Sequence, residues 1–535
     1  EDFGLSTTQE GENDHVSDPT NELSDAAAPA RSNHSLNPSA ISVTTINTSV
    51  PIGDYNNTST RLRPTSPLSE TLQQSEPGET GHNAITIATK TNNQTAETGI
   101  ISSVPPPSAV ISFPKKNHSD VKFNYTAFWQ QVMAQAMTSL EQNATEPNYT
   151  MTTCPKVFVY NLTKDLTEGK GGNTNLTKAF GDPDGILHKT HQNSFARIAE
   201  YRLRTSQYCF TTNPEEADLF FVPIFPLGHG VKQWERLCKD HARIMAALLP
   251  QLPYLTKETA CRHFMIVGKG HYAASKCYGW WRRPVPELKK AMRVAYTDKH
   301  YKINKKLPQF YEDKRDTRDF PNLVSVPYPS ALHWRRDRVA PWKDPTTGYN
   351  ASSRESLMLF VGSARHGDVS VRRKVEEQCF SYHNLQKCNL SVNNNTKGKT
   401  RGLRLDTKLK SIFCLEPGGD TPDRKSISDS IAAGCIPVLF NDITGTGWQW
   451  FWDSWKARAH VVVPRKEFVA GKIDLFTLLY TTMPLELRDL MQDTLSIRAR
   501  QFQYSIDEDP KDGIRVMLEG LKAKSQGNMN GGQCR

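Results

Sequence analysis

Residues 413–442 read FCLEPGGDTPDRKSISDSIAAGCIPVLFND. A short apolar run gives way to a Pro-Gly-Gly-Asp loop. A Ser-rich segment follows with Ile427 and Ile431 at helical spacing, then Gly434 and a second apolar run. Strand, glycine loop, helix and strand in that order predict an α/β unit with parallel strands, because a crossover helix carries the chain back to the same end of the sheet. Such a unit aims backbone N–H groups and a positive helix end beyond the strands' carboxyl ends, and Arg424 and Lys425 stand where that helix starts. The chemistry suited to this pattern is phosphate binding.

The alternation extends in both directions. KVFVYNL (156–162), DLFFVPIF (218–225) and HFMIVGKGH (263–271) read as buried strands, with helical SFARIAEYRLR (194–204) and WERLCKDHARIMAALLPQL (234–252) between them. This first half closes near VSVPYP (324–329), and the Pro-, Trp- and charge-rich stretch 330–350 reads as the crossing to a second half. SLMLFVGSAR (356–365), the helical VRRKVEEQC, the quoted stretch and the strand AHVVVP (459–464) make up that second half. The fold expected is α/β: two Rossmann-like domains, over 151–345 and 346–535, facing a cleft into which the strands' carboxyl ends open.

Residues 1–120 are dominated by Ser, Thr, Asn and Pro with almost no aromatics, and are expected to be a disordered stem. Phe128, Val132, Met133, Ala136, Met137 and Leu140 fall at helical spacing in the segment 121–150, which predicts a stem helix, packed on the folded part in preference to self-associating. Charge divides at the same place: residues 1–150 carry 7 Lys/Arg and 16 Asp/Glu, net −9, and the remainder is +19 within a total of +10. The folded part is therefore basic and suits an anionic ligand. No recognition helix, zinc finger or aromatic RNA-binding strand accompanies the charge, so nucleic acid is not the expected partner.

Nine of fourteen N-x-S/T sequons crowd into the first 150 residues, the composition of a glycosylated stalk in the secretory pathway. Ten cysteines fit an oxidising lumen. Cys379 with Cys388, and Cys261 with Cys277, are candidate pairs; Cys414 and Cys435 lie inside apolar runs and read as buried thiols. No stretch approaches the length of a membrane span, and an N-terminal anchor or signal is expected to precede Glu1.

Several chemistries lack their signatures. Neither GKGH nor GTGW completes a dinucleotide fingerprint, and the P-loop and G-x-S-x-G patterns are absent. Asp182 and Asp184 in GDPDG read as a turn, Asp507 and Asp509 as a terminal acidic loop, and His188 with His191 has no third ligand. No metal or other cofactor is expected.

FCLEPGGD, RKSISDSIAAGCIPVLF, NPEEADLFFVPIF (213–225), KVFVYNL and VPYPSALH together resemble the exostosin family of glycosyltransferases over about residues 154–500. The form RKSISDSIAAGCIPV is similar to its plant-type xyloglucan galactosyltransferase branch. The resemblance implies a GT-B fold in the Golgi lumen on a single-pass type II membrane protein. It implies inverting transfer of a sugar, with galactose favoured, from a UDP-sugar to a polysaccharide or glycoprotein glycan, by an acceptor-side first domain and a nucleotide-sugar-binding second domain. A catalytically inactive scaffold or lectin-like subunit of a glycosyltransferase complex is the competing reading.

Arg365 and Arg372 match arginines of that branch and, with Arg424 and Lys425, are expected to hold the diphosphate. Gly418 and Gly419 let the loop approach the nucleotide, and Asp420 and Thr421 are candidates for ribose or phosphate. Asp429, at the family's acidic position, is assigned to the ribose hydroxyls. Many members carry Arg three residues earlier, where this chain has Ser426, which shifts the phosphate contacts to Arg424 and Lys425. The general base belongs to the first domain: His271 at a strand's carboxyl end, with Asp184 and His191 as alternatives. In GWWRRP, Trp280 stands where the branch tends to be acidic; Trp280, Trp281 and Trp334 are candidates to stack on sugar rings.

Overall fold

Strands that are apolar on both faces belong inside a sheet covered by helices on each side, and the chain builds two such sheets. The computed structural model describes residues 122–142, 149–163, 166, 190, 194–224, 241–266, 285–297, 301–306, 310–313, 322–347, 349, 354–363, 367–383, 387–392 and 401–534. The first half supplies β1 (Val157–Val159), β2 (Phe210–Thr211), β3 (Leu219–Phe221), β4 (His263–Ile266) and β5 (Met292–Ala295). An antiparallel pair, β6 (Tyr301–Ile303) and β7 (Tyr311–Asp313), comes next, and β8 (Leu323–Ser325) returns to the sheet. The sheet runs β2-β1-β3-β4-β5-β8, every pairing parallel, and all residues of β3, β4 and β5 are buried.

The second half contains β9 (Ser356–Gly362), β10 (Cys388–Val392), β11 (Ser411–Glu416), β12 (Ile436–Leu439) and β13 (Val461–Val462), ordered β10-β9-β11-β12-β13 and again parallel. The crossover between β11 and β12 is the helix Lys425–Ala432, as the Ile427/Ile431 spacing predicts. Gly434 ends it at φ +62, where the Gly434 N–H donates to the Ile431 carbonyl and the Cys435 N–H to the Ser430 carbonyl, the Schellman closure that glycine permits. A Cβ at Gly434 would lie 2.3 Å from the Trp342 ring, so the glycine also seats that tryptophan. The stretch 330–350, read as a crossing, is therefore core in part: Trp342 is fully buried and Trp334 nearly so, edge to face at 5.7 Å.

Three cysteine readings meet the structure. Cys379 and Cys388 are joined, as expected. Cys414 and Cys435 are buried as expected but form a disulfide instead of staying thiols: β11 and the turn before β12 bring their Cα atoms to 5.6 Å. Cys261 pairs with Cys534, 273 residues away, instead of Cys277, which lies outside the described residues. The partner is distant because the helix Gly513–Gly527 carries the chain back to the first half, where Lys522 pairs with Asp218 at 2.9 Å and Asn528 meets Asn322. A fourth disulfide joins Cys154 and Cys209 beside β1 and β2.

The segment 121–150 contains the helix Tyr125–Gln142, which packs on the second half. Trp129 is buried and its Nε1–H donates to the Leu478 carbonyl at 3.2 Å; Ser139 donates to the Ser454 carbonyl at 3.0 Å. No described helix is long and apolar enough to cross a membrane.

Candidate active site

Beyond the carboxyl end of β11 the chain runs Pro417-Gly418-Gly419-Asp420, and its carbonyls are claimed one after another by side chains. Arg372, on the helix Val369–His383, donates from Nη2 to the Pro417 carbonyl at 3.1 Å, from Nε to Gly418 at 2.8 Å and from Nη1 to Ser363 at 2.8 Å. Tyr311 donates from Oη to the Gly419 carbonyl at 2.7 Å. Space for these groups comes from the glycines: a Cβ at Gly418 would meet Tyr311 Oη at 2.2 Å, and one at Gly419 would fall 1.2 Å from Arg424 Nη1. Gly418 and Gly419 thus admit protein side chains onto the loop. Gly367, at φ +79, completes the close packing, its Cβ position 2.5 Å from Gly419 Cα.

With its carbonyls turned onto Arg372 and Tyr311, the loop leads into the helix Lys425–Ala432, which has Arg424 at its N-cap and no side-chain cap. First-turn N–H groups without a cap are anion-binding donors. Arg424 is partly buried and its guanidinium makes no hydrogen bond or ion pair with any described residue; burial, and after it the charge of Arg424, hold the Arg372 guanidinium below its ordinary pKa. Arg424 thus adds a second positive charge beside Arg372, which Glu416 and Asp368 only partly offset, and this favours an anion there.

Lys425 and Asp429 face each other one turn apart, Nζ 2.8 Å from both carboxylate oxygens. Asp429 Oδ1 also accepts from Ser330 Oγ at 3.0 Å and from the Ala331 N–H at 2.9 Å, so this carboxylate fastens the helix to the end of the first half. Ser426 points the other way, into a buried polar cluster. Lys408 Nζ lies 2.7 Å from Glu416 Oε1 and 2.6 Å from Ser430 Oγ, and Ser426 Oγ and Ser430 Oγ both donate to Glu416 at 2.9 and 2.6 Å. Asp420 is exposed at the loop's crest; Thr421 donates to the Asp423 carbonyl at 2.7 Å, and Asp423 Oδ1 accepts from the Gly445 N–H at 2.6 Å.

The sequence-derived site residues Arg372, Gly418, Gly419, Asp420, Thr421, Arg424, Lys425, Ser426 and Asp429 therefore gather at one place, the carboxyl end of β11 and the helix start that follows it. Arg365, His271, Asp184 and His191 lie outside the described residues, as do Trp280 and Trp281. Trp334 is core, packed on Trp342 with the Arg500 guanidinium 5.3 Å from its ring centre. Asp509 is buried and paired with Arg500 at 2.6 Å. Among the described residues no three His, Cys, Asp or Glu side chains gather in a metal-binding group.

Sequence reasoning overlooked Tyr311, Lys408, Glu416 and Asp423. Glu416 had a signal: an acid ending an apolar strand must find a cation once buried. Tyr311, in QFYED, had none.

Comparison with known proteins places this geometry in context. The Exostosin GT47 domain model matches residues 151–457. A probable xyloglucan galactosyltransferase of Arabidopsis thaliana is 26% identical over 319 residues, 54% of this chain and 60% of that protein. A xyloglucan-specific galacturonosyltransferase of the same plant is 27% identical over 267 residues, 47% of this chain and 36% of that protein. The chain thus spans between about a third and three fifths of these relatives. Among solved structures, a UDP-forming α,α-trehalose-phosphate synthase from Burkholderia vietnamiensis matches 70% of this chain and 99% of its own, at 11% identity and a TM-score of 0.33.

Proposed function

The chain belongs to the exostosin GT47 family of glycosyltransferases, and on that premise we propose that it transfers a sugar, galactose by preference, from a UDP-sugar to a cell-wall polysaccharide or a glycoprotein glycan, with inversion. Two of its relatives carry xyloglucan in their names, one with galactose and one with galacturonate, which supports a polysaccharide acceptor and leaves the donor to be chosen by experiment.

The observation that carries the reading is Arg424: a guanidinium with no hydrogen-bond or ion-pair partner among the described residues, beside Arg372, at an uncapped helix start beyond a parallel strand. In transfer, the departing UDP gains charge on its diphosphate as the glycosidic bond breaks. Preorganised cations and N–H donors at that point stabilise the transition state more than the ground state, and one such donor is typically worth about 10²–10³ in rate. Arg424, Lys425 and the first-turn N–H groups are placed for this, while Arg372 and Tyr311 keep the loop's carbonyl dipoles turned away from the anion. The acceptor hydroxyl needs a base from the first half, a role we assign to His271, with Asp184 and His191 as alternatives. The residues here that face the nucleotide supply their cations from the protein itself, and the donor UDP-sugar is the only small molecule the proposal requires.

We place the enzyme in the Golgi lumen, attached to the membrane by an N-terminal segment and open to association with other glycosyltransferases. Four described disulfides and the sequon-rich first 150 residues support an oxidising, glycosylating compartment. The test is a transfer assay with a panel of UDP-sugars and xyloglucan, xylan and pectic acceptors. UDP release that depends on one donor and one acceptor supports the proposal; no transfer with any pair, by protein that binds xyloglucan, favours a non-catalytic role instead.

A further inference from the structure

The antiparallel pair β6–β7 is an insertion between two neighbouring strands of the first sheet, yet its end lies on the second half. Phe310 and Tyr311 form a small apolar cluster with Ile443, which follows β12. The Arg465 guanidinium, after β13, stands 5.0 Å over the Phe310 ring and makes two hydrogen bonds to the buried carboxylate of Asp368, which precedes the helix Val369–His383. Tyr311 hydrogen-bonds Gly419, after β11, and its ring fills the space that Gly418 leaves. One dipeptide of the first half thereby touches the segments that follow β11 and β12 directly, and through Arg465 and Asp368 those that follow β13 and β9. Phe310 holds φ +68, a left-handed conformation that a phenylalanine adopts only under constraint by its surroundings, and such constraint concentrates at working sites.

We propose that Tyr311 is a positioning residue of the donor site: delivered by the β6–β7 hairpin, it holds the Gly419 carbonyl away from the diphosphate so that this dipole does not oppose Arg424. The inference rests on the reading of this site as the UDP-sugar site. Arg372 already restrains the carbonyls of Pro417 and Gly418; Tyr311 restrains the next one, that of Gly419, which accepts from no other described donor. A carbonyl oxygen released from that bond is free to turn toward the anion and repel it. Burial and the neighbouring Asp368 push the Tyr311 hydroxyl far above its ordinary pKa, so it remains a donor at any working pH.

The test compares the full-length wild-type protein with Tyr311→Phe and Tyr311→Ala. Tyr311→Phe keeps the ring in its place over Gly418 and removes only the hydrogen bond. The expected result is a UDP dissociation constant raised about 5- to 10-fold by Tyr311→Phe, the size of one lost hydrogen bond, and more by Tyr311→Ala. Donor KM rises in step while acceptor KM and the melting temperature of Tyr311→Phe stay at wild-type values. A merely structural tyrosine would lower the melting temperature and leave donor KM unmoved. Unchanged UDP binding in Tyr311→Phe, with the wild type binding UDP, overturns this inference alone. Absence of UDP binding by the wild type overturns the donor-site reading and this inference with it.

Discussion

The Lys408 ammonium sits 2.7 Å from the Glu416 carboxylate with both side chains about 5% exposed, directly beneath the helix that starts at Lys425. Ser426 and Ser430 complete the cluster from above, so the helix is held down by four polar groups inside an otherwise apolar layer. Removing one member of such a pair leaves a buried charge without compensation, at a cost of about 3–5 kcal/mol. Glu416→Gln is expected to lower stability by that amount in chemical denaturation. Lys408→Met combined with Glu416→Leu is expected to lose much less, because the desolvation cost of both charges disappears together.

Cys261 and Cys534 close a loop of 273 residues and attach the segment that follows the helix Gly513–Gly527 to the first half. Constraint of the unfolded chain by so long a loop is worth up to about 5 kcal/mol, less when other disulfides already shorten the free chain. Cys261→Ser with Cys534→Ser is therefore expected to lower the denaturation midpoint and to raise amide hydrogen exchange in residues 513–534 first. Exchange confined to other segments would show that the C-terminal helix holds without its staple.

Asp512 caps the helix Gly513–Gly527, accepting from the Arg515 and Ser505 N–H groups, and is fully buried. Burial pushes its carboxyl up to about 7, against the pull of Arg202. The unfolded chain releases this proton near pH 4 and the folded one near pH 7, so between those values the native state binds more protons and stability falls as pH rises. Asp512→Asn removes that proton linkage. The stability of the variant relative to wild type, from melts at pH 4 to 8, is expected to improve as pH rises to about 7 and to stay level above it.

The second half was largely legible from its residues. Strands such as SLMLF and IFCL are apolar throughout because helices cover both faces, and Gly434 announced the end of a helix by the conformation it alone takes easily. The arrangement of the candidate site was legible too, since strand, glycine loop and basic helix start are contiguous in the chain. What escaped was held by contacts between distant segments. The β6–β7 hairpin carries Lys, Glu and Asp within YKI and YED, with no alternation to mark it as a strand, and the importance of Tyr311 depends on a glycine 108 residues away. The disulfide partners of Cys261 and Cys414 and the link from Asp429 to Ser330 were hidden likewise: spacing along the chain says nothing about which loops a sheet brings together.

In the proposed function, Arg424 and the uncapped helix start behind it form the diphosphate site of a sugar donor. Calorimetric titration of UDP into the full-length protein in EDTA, and into Arg424→Ala, tests it most directly. The expected result is metal-independent binding by the wild type, weakened about 10- to 100-fold by the substitution, the worth of a charge-assisted hydrogen bond of roughly 1.5–3 kcal/mol. Equal UDP affinity in both proteins, or none in either, would contradict it.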